Sequence, residues 1–148
     1  MAMLTKGTWV VVADSERAMV LENGGDTRTP VLRQVHRLEA AQVLNAANPV
    51  EPVFDQGRDQ RTPVEPPDRM RIAAEAMAAD LVAYLVAQAT KGKFDKLVLA
   101  APPQVLGAIR GSMDDALRAR VSAELPKTLT RHPLPKIAEL VAEALAKG

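Results

Sequence analysis

One apolar segment that runs into a double proline constrains the fold more than any other feature of this sequence. Residues Leu97 to Ala101 are apolar without interruption and precede Pro102-Pro103, which is typical of a strand covered on both faces in a parallel sheet. A proline fits the first turn of a helix, because its missing N–H would have no partner there. The segment therefore predicts a strand-to-helix connection of an α/β domain, the usual place for a ligand site. No phosphate-binding glycines, catalytic dyad or metal-ligand spacing accompany it.

The composition is that of one globular domain. The chain has 148 residues, of which 47% are hydrophobic, enough to bury a core without disulfides or metals. There is no cysteine, which excludes disulfides, thiolate metal sites and a cysteine nucleophile. A formal net charge of +1 does not indicate a general polyanion-binding surface, but it is compatible with a local basic patch. Because no apolar run approaches about 18 residues and residues 1–7 lack a signal-peptide pattern, we expect a cytoplasmic protein with no membrane contact.

Hydrophobic periodicity and turn signals predict a mixed sheet. Five strands are expected, at Thr8–Ala13, at Arg17–Glu22, within Val31–Leu38, from Leu97 and at Val121–Leu125. Helices are expected at Asp68–Lys91, from Pro103, after a capping box at Ser112–Asp115 and from about Ile137 to Leu145. Two hairpins followed by right-handed crossovers give the spatial order 3-2-1-4-5, with strand 2 antiparallel. This is a ribonuclease-H-like, three-layer α/β arrangement, with one domain spanning residues 1–148.

Several glycines have predicted roles in this fold. Gly24 and Gly25, between Asn23 and Asp26, are expected to turn the chain through positive φ angles. Gly92 is expected to be a left-handed helix cap. Gly107 is expected to let the helix that follows Pro103 pack closely on the sheet.

The long connection before the first long helix is the first candidate functional segment. Prolines are dense over residues 47–68, which predicts a loop after a short helical piece at Ala40–Ala46. Its charged tip offers Gly57, Arg58, Gln60 and Arg61 as candidate binding residues. Long loops are usually functional or disordered, and both interpretations stay open here.

The strand-to-helix connection is the second candidate, with Pro102, Pro103, Gly107 and Arg110 as tentative binding residues. Arg110 is either an exposed anion-binding group or an ordinary surface residue.

Catalytic signals are weak. Asp14 ends the central strand, where a nuclease would place a metal-binding carboxylate, but metal-assisted phosphoryl chemistry needs several carboxylates at one site. None of the other candidates, Glu22, Asp80 and Asp95, is expected to converge with it. Asp14 is therefore interpreted as a turn-forming residue, and no metal or cofactor is predicted.

The remaining polar and aromatic candidates give no site. His36 and His132 lie far apart in the sequence, so a shared metal or a triad is not expected. Trp9 and Tyr84 are read as isolated aromatics, which argues against a base-stacking platform.

Three segments together resemble the bacterial host-attachment protein family. They are residues 9–14 with Arg17-Ala18, residues 97–103 with Leu106-Gly107 and Arg110, and Leu125 with Lys127 and Leu129-Thr130. The family usually has Lys-Asp-Leu-Thr where this chain has Lys127-Thr128-Leu129-Thr130.

That family is distantly similar to the middle domain of archaeal and eukaryotic peptide-release factors. In those factors a Gly-Gly-Gln loop promotes hydrolysis of peptidyl-tRNA, whereas the matching loop here offers only Gly57-Arg58-Asp59-Gln60. The resemblance implies a non-catalytic binding module, with the ribosome or tRNA as partner. A protein partner that affects host attachment indirectly is the alternative, and a metal-dependent nuclease is less favoured.

Overall fold

A computed structural model describes residues 4–39 and 66–147, with side chains described over residues 72–146 of the second range. The five strands are β1 (Trp9–Ala13), β2 (Arg17–Asn23), β3 (Leu32–Glu39), β4 (Leu97–Ala100) and β5 (Val121–Leu125). The helices are α1 (Pro66–Thr90), α2 (Pro103–Ser112), α3 (Asp115–Arg118) and α4 (Leu134–Lys147).

The five strands form one mixed sheet in the order β3-β2-β1-β4-β5. β2 pairs antiparallel with both β1 and β3. β4 is parallel to β1 and to β5. This confirms the predicted order, the antiparallel second strand and the two crossovers between parallel strands.

The central strand β1 separates two hydrophobic cores. Val10, Val11 and Val12 are each 0% exposed, as expected for a strand covered on both faces. Val11 belongs to the core that α1, α2 and α3 cover. Val10 and Val12 belong to the core that α4 covers. The alternation of side chains along a strand therefore joins both helical layers through one element.

Helix α1 begins two residues earlier than expected, at Pro66. Proline is compatible with a first helical turn because the N–H groups there have no intrahelical partner. The helix ends at Thr90, so Lys91 lies beyond it rather than in its last turn. Gly92 has φ of 75°, which confirms the left-handed cap.

By length and composition alone, the segment Ile72–Thr90 is apolar enough to cross a membrane, with a hydropathy of 1.4. The prediction that no helix spans a membrane was based on uninterrupted apolar runs, which Glu75 and Asp80 break in this segment, and it stays a prediction. In the structure, Met77, Leu81 and Leu85 of this segment are fully buried in the core against the sheet. Core helices of soluble folds pass the same test, so the segment is weak evidence for a membrane.

A buried asparagine, Asn23, organises the hairpin that joins β2 to β3. The prediction of positive φ angles at Gly24 and Gly25 was wrong. Asn23 Oδ1 accepts from the backbone N–H groups of Gly25 at 3.0 Å and Val31 at 2.9 Å. Gly25 is needed for a different reason: a Cβ there would lie 2.1 Å from the carbonyl oxygen of Thr29.

Two further local predictions were wrong. Gly107 is exposed, and a Cβ at this position would meet nothing within 4 Å, so it does not permit a close approach of α2 to the sheet. The turn before α3 is capped by Asp114, whose carboxylate accepts from the N–H of Leu117 at 2.8 Å. Ser112 instead ends α2. The short helical piece at Ala40–Ala46 and the loop at 47–65 lie outside the described residues.

Candidate functional site

The carboxyl ends of β1, β4 and β5 lie at one edge of the sheet, because the three strands run parallel. This edge brings together Asp14, Pro102 and the segment that follows Leu125. In α/β sheets, ligands commonly bind outside the carboxyl ends of parallel strands. We therefore describe this edge as the candidate site.

Asp14 closes the turn between β1 and β2. Its Oδ1 accepts from the backbone N–H of Glu16 at 2.7 Å and from that of Arg17 at 2.9 Å. These contacts confirm the interpretation of Asp14 as a turn-forming residue.

The second oxygen of Asp14 makes a long-range contact. Thr130 Oγ1 donates to Asp14 Oδ2 at 2.6 Å, across 116 residues of sequence. The contact ties the end of the first strand to the segment after β5. It also joins two of the three segments that carry the family resemblance, a pairing that sequence reasoning missed.

The environment keeps Asp14 ionised. Burial raises the pKa of this carboxyl, but the hydrogen bonds from Thr130, Glu16 and Arg17 and the charge of Arg17 outweigh burial and lower it below 3.8. An ionised carboxylate is an acceptor only, and both of its oxygens already accept hydrogen bonds. The arrangement therefore suits a structural tether.

The structure does not bring the other carboxylates to Asp14. Glu22 pairs with Trp9 at the opposite end of β1 and forms an ion pair with Arg33 at 2.5 Å. Over residues 4–39 and 72–146, no three histidine, aspartate or glutamate side chains are grouped so that they could hold a metal ion. Asp80 lies on an exposed face of α1, and Asp95 lies before β4.

The strand-to-helix connection has the predicted geometry. Pro102 is the N-cap of α2, and its carbonyl oxygen accepts from the N–H of Leu106 at 2.8 Å. Arg110, one turn further along, is held by Glu124 of β5 through two hydrogen bonds, one of them 3.3 Å from Nε to Oε2. This contact raises the pKa of Arg110.

The Arg110–Glu124 pair borders a surface depression of about 240 Å³. Because Glu124 already compensates the guanidinium charge, the structure supports the surface interpretation of Arg110 over the anion-binding one. Gly107 thus lacks the packing role predicted for it, and binding through Gly107 or Arg110 stays a prediction. Pro102 and Pro103 retain a role in positioning α2.

The description of Trp9 and Tyr84 as isolated aromatics was wrong. The ring of Trp9 stacks on Phe94 at 4.7 Å and lies 6.2 Å from Tyr84, which in turn stacks on His36 at 3.8 Å. Trp9 and Phe94 are 4% and 3% exposed. The stack is therefore mainly part of the core, and those two rings cannot receive a base.

The tentative loop residues Gly57, Arg58, Gln60 and Arg61 lie outside the described residues. Their position relative to Asp14 and Arg110 is therefore not assigned.

Comparison with known families gives one match. The family model described as bacterial archaeo-eukaryotic release factor family 12 matches residues 7–141, which include all five strands. No curated protein matches this sequence.

Comparison with solved structures gives similarities to two archaeal proteins. One, described as an archaeal protein, has a TM-score of 0.50 and 14% identity, over 95% of this chain and 34% of that chain. The other, the archaeal translation termination factor aRF1, has a TM-score of 0.45 and 10% identity, over 95% of this chain and 39% of that chain. The chain thus corresponds to only part of each of these proteins.

Proposed function

We propose a role in translation for this chain, which belongs to bacterial archaeo-eukaryotic release factor family 12. In this proposal it is a non-catalytic module that binds the ribosome or tRNA. The observation that carries the proposal is the family match over residues 7–141, which spans the sheet and most of both cores. A role in translation would place the protein in the cytoplasm.

The proposal assigns RNA or ribosome contact first to the charged loop. The charge of Arg110 is compensated by Glu124, and the proposal therefore rests on Arg58 and Arg61, which lie three residues apart in the sequence. The loop lacks the two adjacent glycines of hydrolytic release factors, and a backbone without them cannot be assumed to reach the same conformation. For this reason we propose binding without peptidyl-tRNA hydrolysis.

One finer assignment, the fold, belongs to the same proposal. The sheet order β3-β2-β1-β4-β5 supports a ribonuclease-H-like fold. A nuclease activity is less well supported, because both oxygens of Asp14 accept hydrogen bonds from the protein. The host-attachment resemblance favours a second function, in which the domain binds a protein partner and affects attachment indirectly.

Affinity purification from native lysate, followed by RNA sequencing and mass spectrometry, separates these functions. We expect ribosomal proteins together with ribosomal RNA or tRNA, and less of them with the Arg58→Ala/Arg61→Ala variant. Exposed-loop substitutions usually change stability little, so a circular dichroism spectrum like that of the wild type is the folding control. Enrichment of one non-ribosomal protein without RNA would overturn the proposal in favour of the protein-partner module.

A further inference from the structure

A lysine-lined depression lies at the opposite edge of the sheet, where β1 and β4 begin. Its volume is about 240 Å³, and its lining includes Lys6, Lys93 and Lys96 together with backbone from Gly7 and Gly92. All three lysines are exposed. We call these three side chains the lysine cleft.

The backbone that carries the lysine cleft is held by hydrogen bonds. The N–H of Trp9 donates to the carbonyl oxygen of Lys96 at 3.0 Å, which joins the starts of the two parallel strands. The N–H of Lys93 donates to Gln88 at 3.0 Å, and that of Gly7 donates to Asn23 at 2.8 Å. The backbone at the lysines is therefore held in place by hydrogen bonds, although the lysine side chains are flexible.

Two glycine turns border the cleft. Gly7 and Gly92 have φ of 85° and 75°, a conformation that other residues rarely adopt. A Cβ at either position would meet nothing within 4 Å, so the space above both turns is free of described atoms.

Within the part of the chain that the structure describes, no ion pair balances the positive charge of the cleft. Its one lining carboxylate, Asp95, lies 3.4 Å from the guanidinium of Arg120. Of the carboxylates with described side chains, none forms an ion pair with Lys6, Lys93 or Lys96. The whole chain has a formal net charge of only +1, so this excess of positive charge is a local feature.

We propose that the lysine cleft binds the phosphate backbone of RNA. Lysine is a point-charge donor suited to phosphate, and contacts to phosphate fix position without reading sequence. Phe94, the one aromatic residue of the lining, is 3% exposed and cannot stack on a base. The choice of RNA over another polyanion rests on the proposed role in translation.

Fluorescence anisotropy with a labelled 20-nucleotide oligouridine tests the cleft without ribosomes. Three phosphate contacts give a salt slope of about −2 for a single strand, which is about a 20-fold loss of affinity between 50 and 200 mM KCl. In the Lys6→Gln/Lys93→Gln/Lys96→Gln variant we expect binding to weaken by about 10-fold or more at 50 mM KCl and the slope to approach zero. The single variants Lys93→Gln and Lys96→Gln should each reduce the slope by about 0.7, and they stay informative if the triple variant does not fold.

A variant with the same loss of charge elsewhere on the surface is the matched control. Arg37→Gln/Arg118→Gln/Lys136→Gln removes three exposed positive charges, from β3, α3 and α4, and should bind like the wild type. Equal weakening in both triple variants would show a response to net charge alone and would overturn the proposal. So would a wild type that does not bind at 50 mM KCl, or one that binds vesicles containing phosphatidylserine more tightly than RNA.

Failure of the lysine cleft and failure of the proposed function give different results. Loss of RNA binding in the anisotropy assay, with ribosomal components still captured from lysate, would refute the cleft and leave the role in translation. Lysine-dependent RNA binding without capture of ribosomal components would refute the role in translation and leave the cleft.

Discussion

Replacing Thr130 by valine tests the tether at the carboxyl edge of the sheet. The change removes the hydroxyl that donates to Asp14 Oδ2 at 2.6 Å. Thr130 is 8% exposed, so water has limited access to the oxygen left behind. A hydrogen bond to a charged group contributes about 1.5–3 kcal/mol, and because Asp14 is only half-buried we expect the low end, a loss of about 1.5 kcal/mol.

Thermal unfolding followed by circular dichroism measures this loss. For a chain of this size, about 1.5 kcal/mol lowers Tm by about 3–6 °C. Thr128→Val is the matched control, because Thr128 is exposed and forms none of the described hydrogen bonds at this edge. Its Tm should stay close to that of the wild type.

A double-mutant cycle with Asp14→Asn separates the contact from other effects of each change. If the two side chains interact, the free energies of unfolding should be coupled by about 1 kcal/mol. Additivity within about 0.5 kcal/mol would refute the tether.

The same contact predicts a pH dependence. The pKa of Asp14 is lower in the folded protein than its ordinary value of 3.8. The stabilisation is therefore present above about pH 4 and is lost as the pH falls through the folded pKa. The difference between wild type and Thr130→Val should be constant from pH 7 to pH 5 and shrink below pH 4. A difference that persists unchanged at the lowest pH at which both proteins are folded would contradict this reasoning.

Three further predictions concern the hairpin and the loop. Asn23→Ala should lower the free energy of unfolding by at least about 3 kcal/mol in urea denaturation, because the fully buried amide bonds four backbone groups. Gly25→Ala should lower the free energy of unfolding by about 1–3 kcal/mol, because the new Cβ would clash with the carbonyl oxygen of Thr29. Gly24→Ala is the control and should lower it clearly less, because its Cβ would lie 3.8 Å from the carbonyl oxygen of Val31. Equal losses in the two variants would count against the clash. In limited trypsin digestion we expect early cleavage at Arg58 and Arg61, because the flanking prolines oppose regular pairing; resistance at both sites would show that the segment is packed.

The sequence predicted the fold well where the signal was local and repeated. The apolar run of β1 and the run before Pro102 are buried strands, and connectivity rules were enough to order the sheet. Gly92 was also predicted, because a glycine between a helix and a strand has few other roles.

The errors and omissions concern contacts between distant segments. Nothing near Asp14 in the sequence indicates that Thr130 donates to it, since the pairing depends on how the segment after β5 returns across the sheet. The Arg110–Glu124 pair likewise depends on the placement of α2 against β5. At the hairpin, the conformational freedom of glycine predicted positive φ angles, but the side chain of Asn23 organises the turn instead.

The lysine cleft was missed for the same reason. Lys6 and Lys93 are far apart in the sequence, and only the parallel pairing of β1 with β4 brings their segments to one edge. The net charge of the whole chain, only +1, gave no indication of this local excess of positive charge.

Co-sedimentation of the purified protein with purified bacterial ribosomes is the direct test of a role in translation. We predict that the protein pellets with ribosomes at 50 mM KCl and is released at 500 mM KCl, because phosphate contacts are salt-dependent. Arg58→Ala/Arg61→Ala should pellet less at the lower salt, while peptidyl-tRNA hydrolysis should be undetectable. A protein that stays in the supernatant at 50 mM KCl, with ribosomes and tRNA both present, would contradict a role in translation.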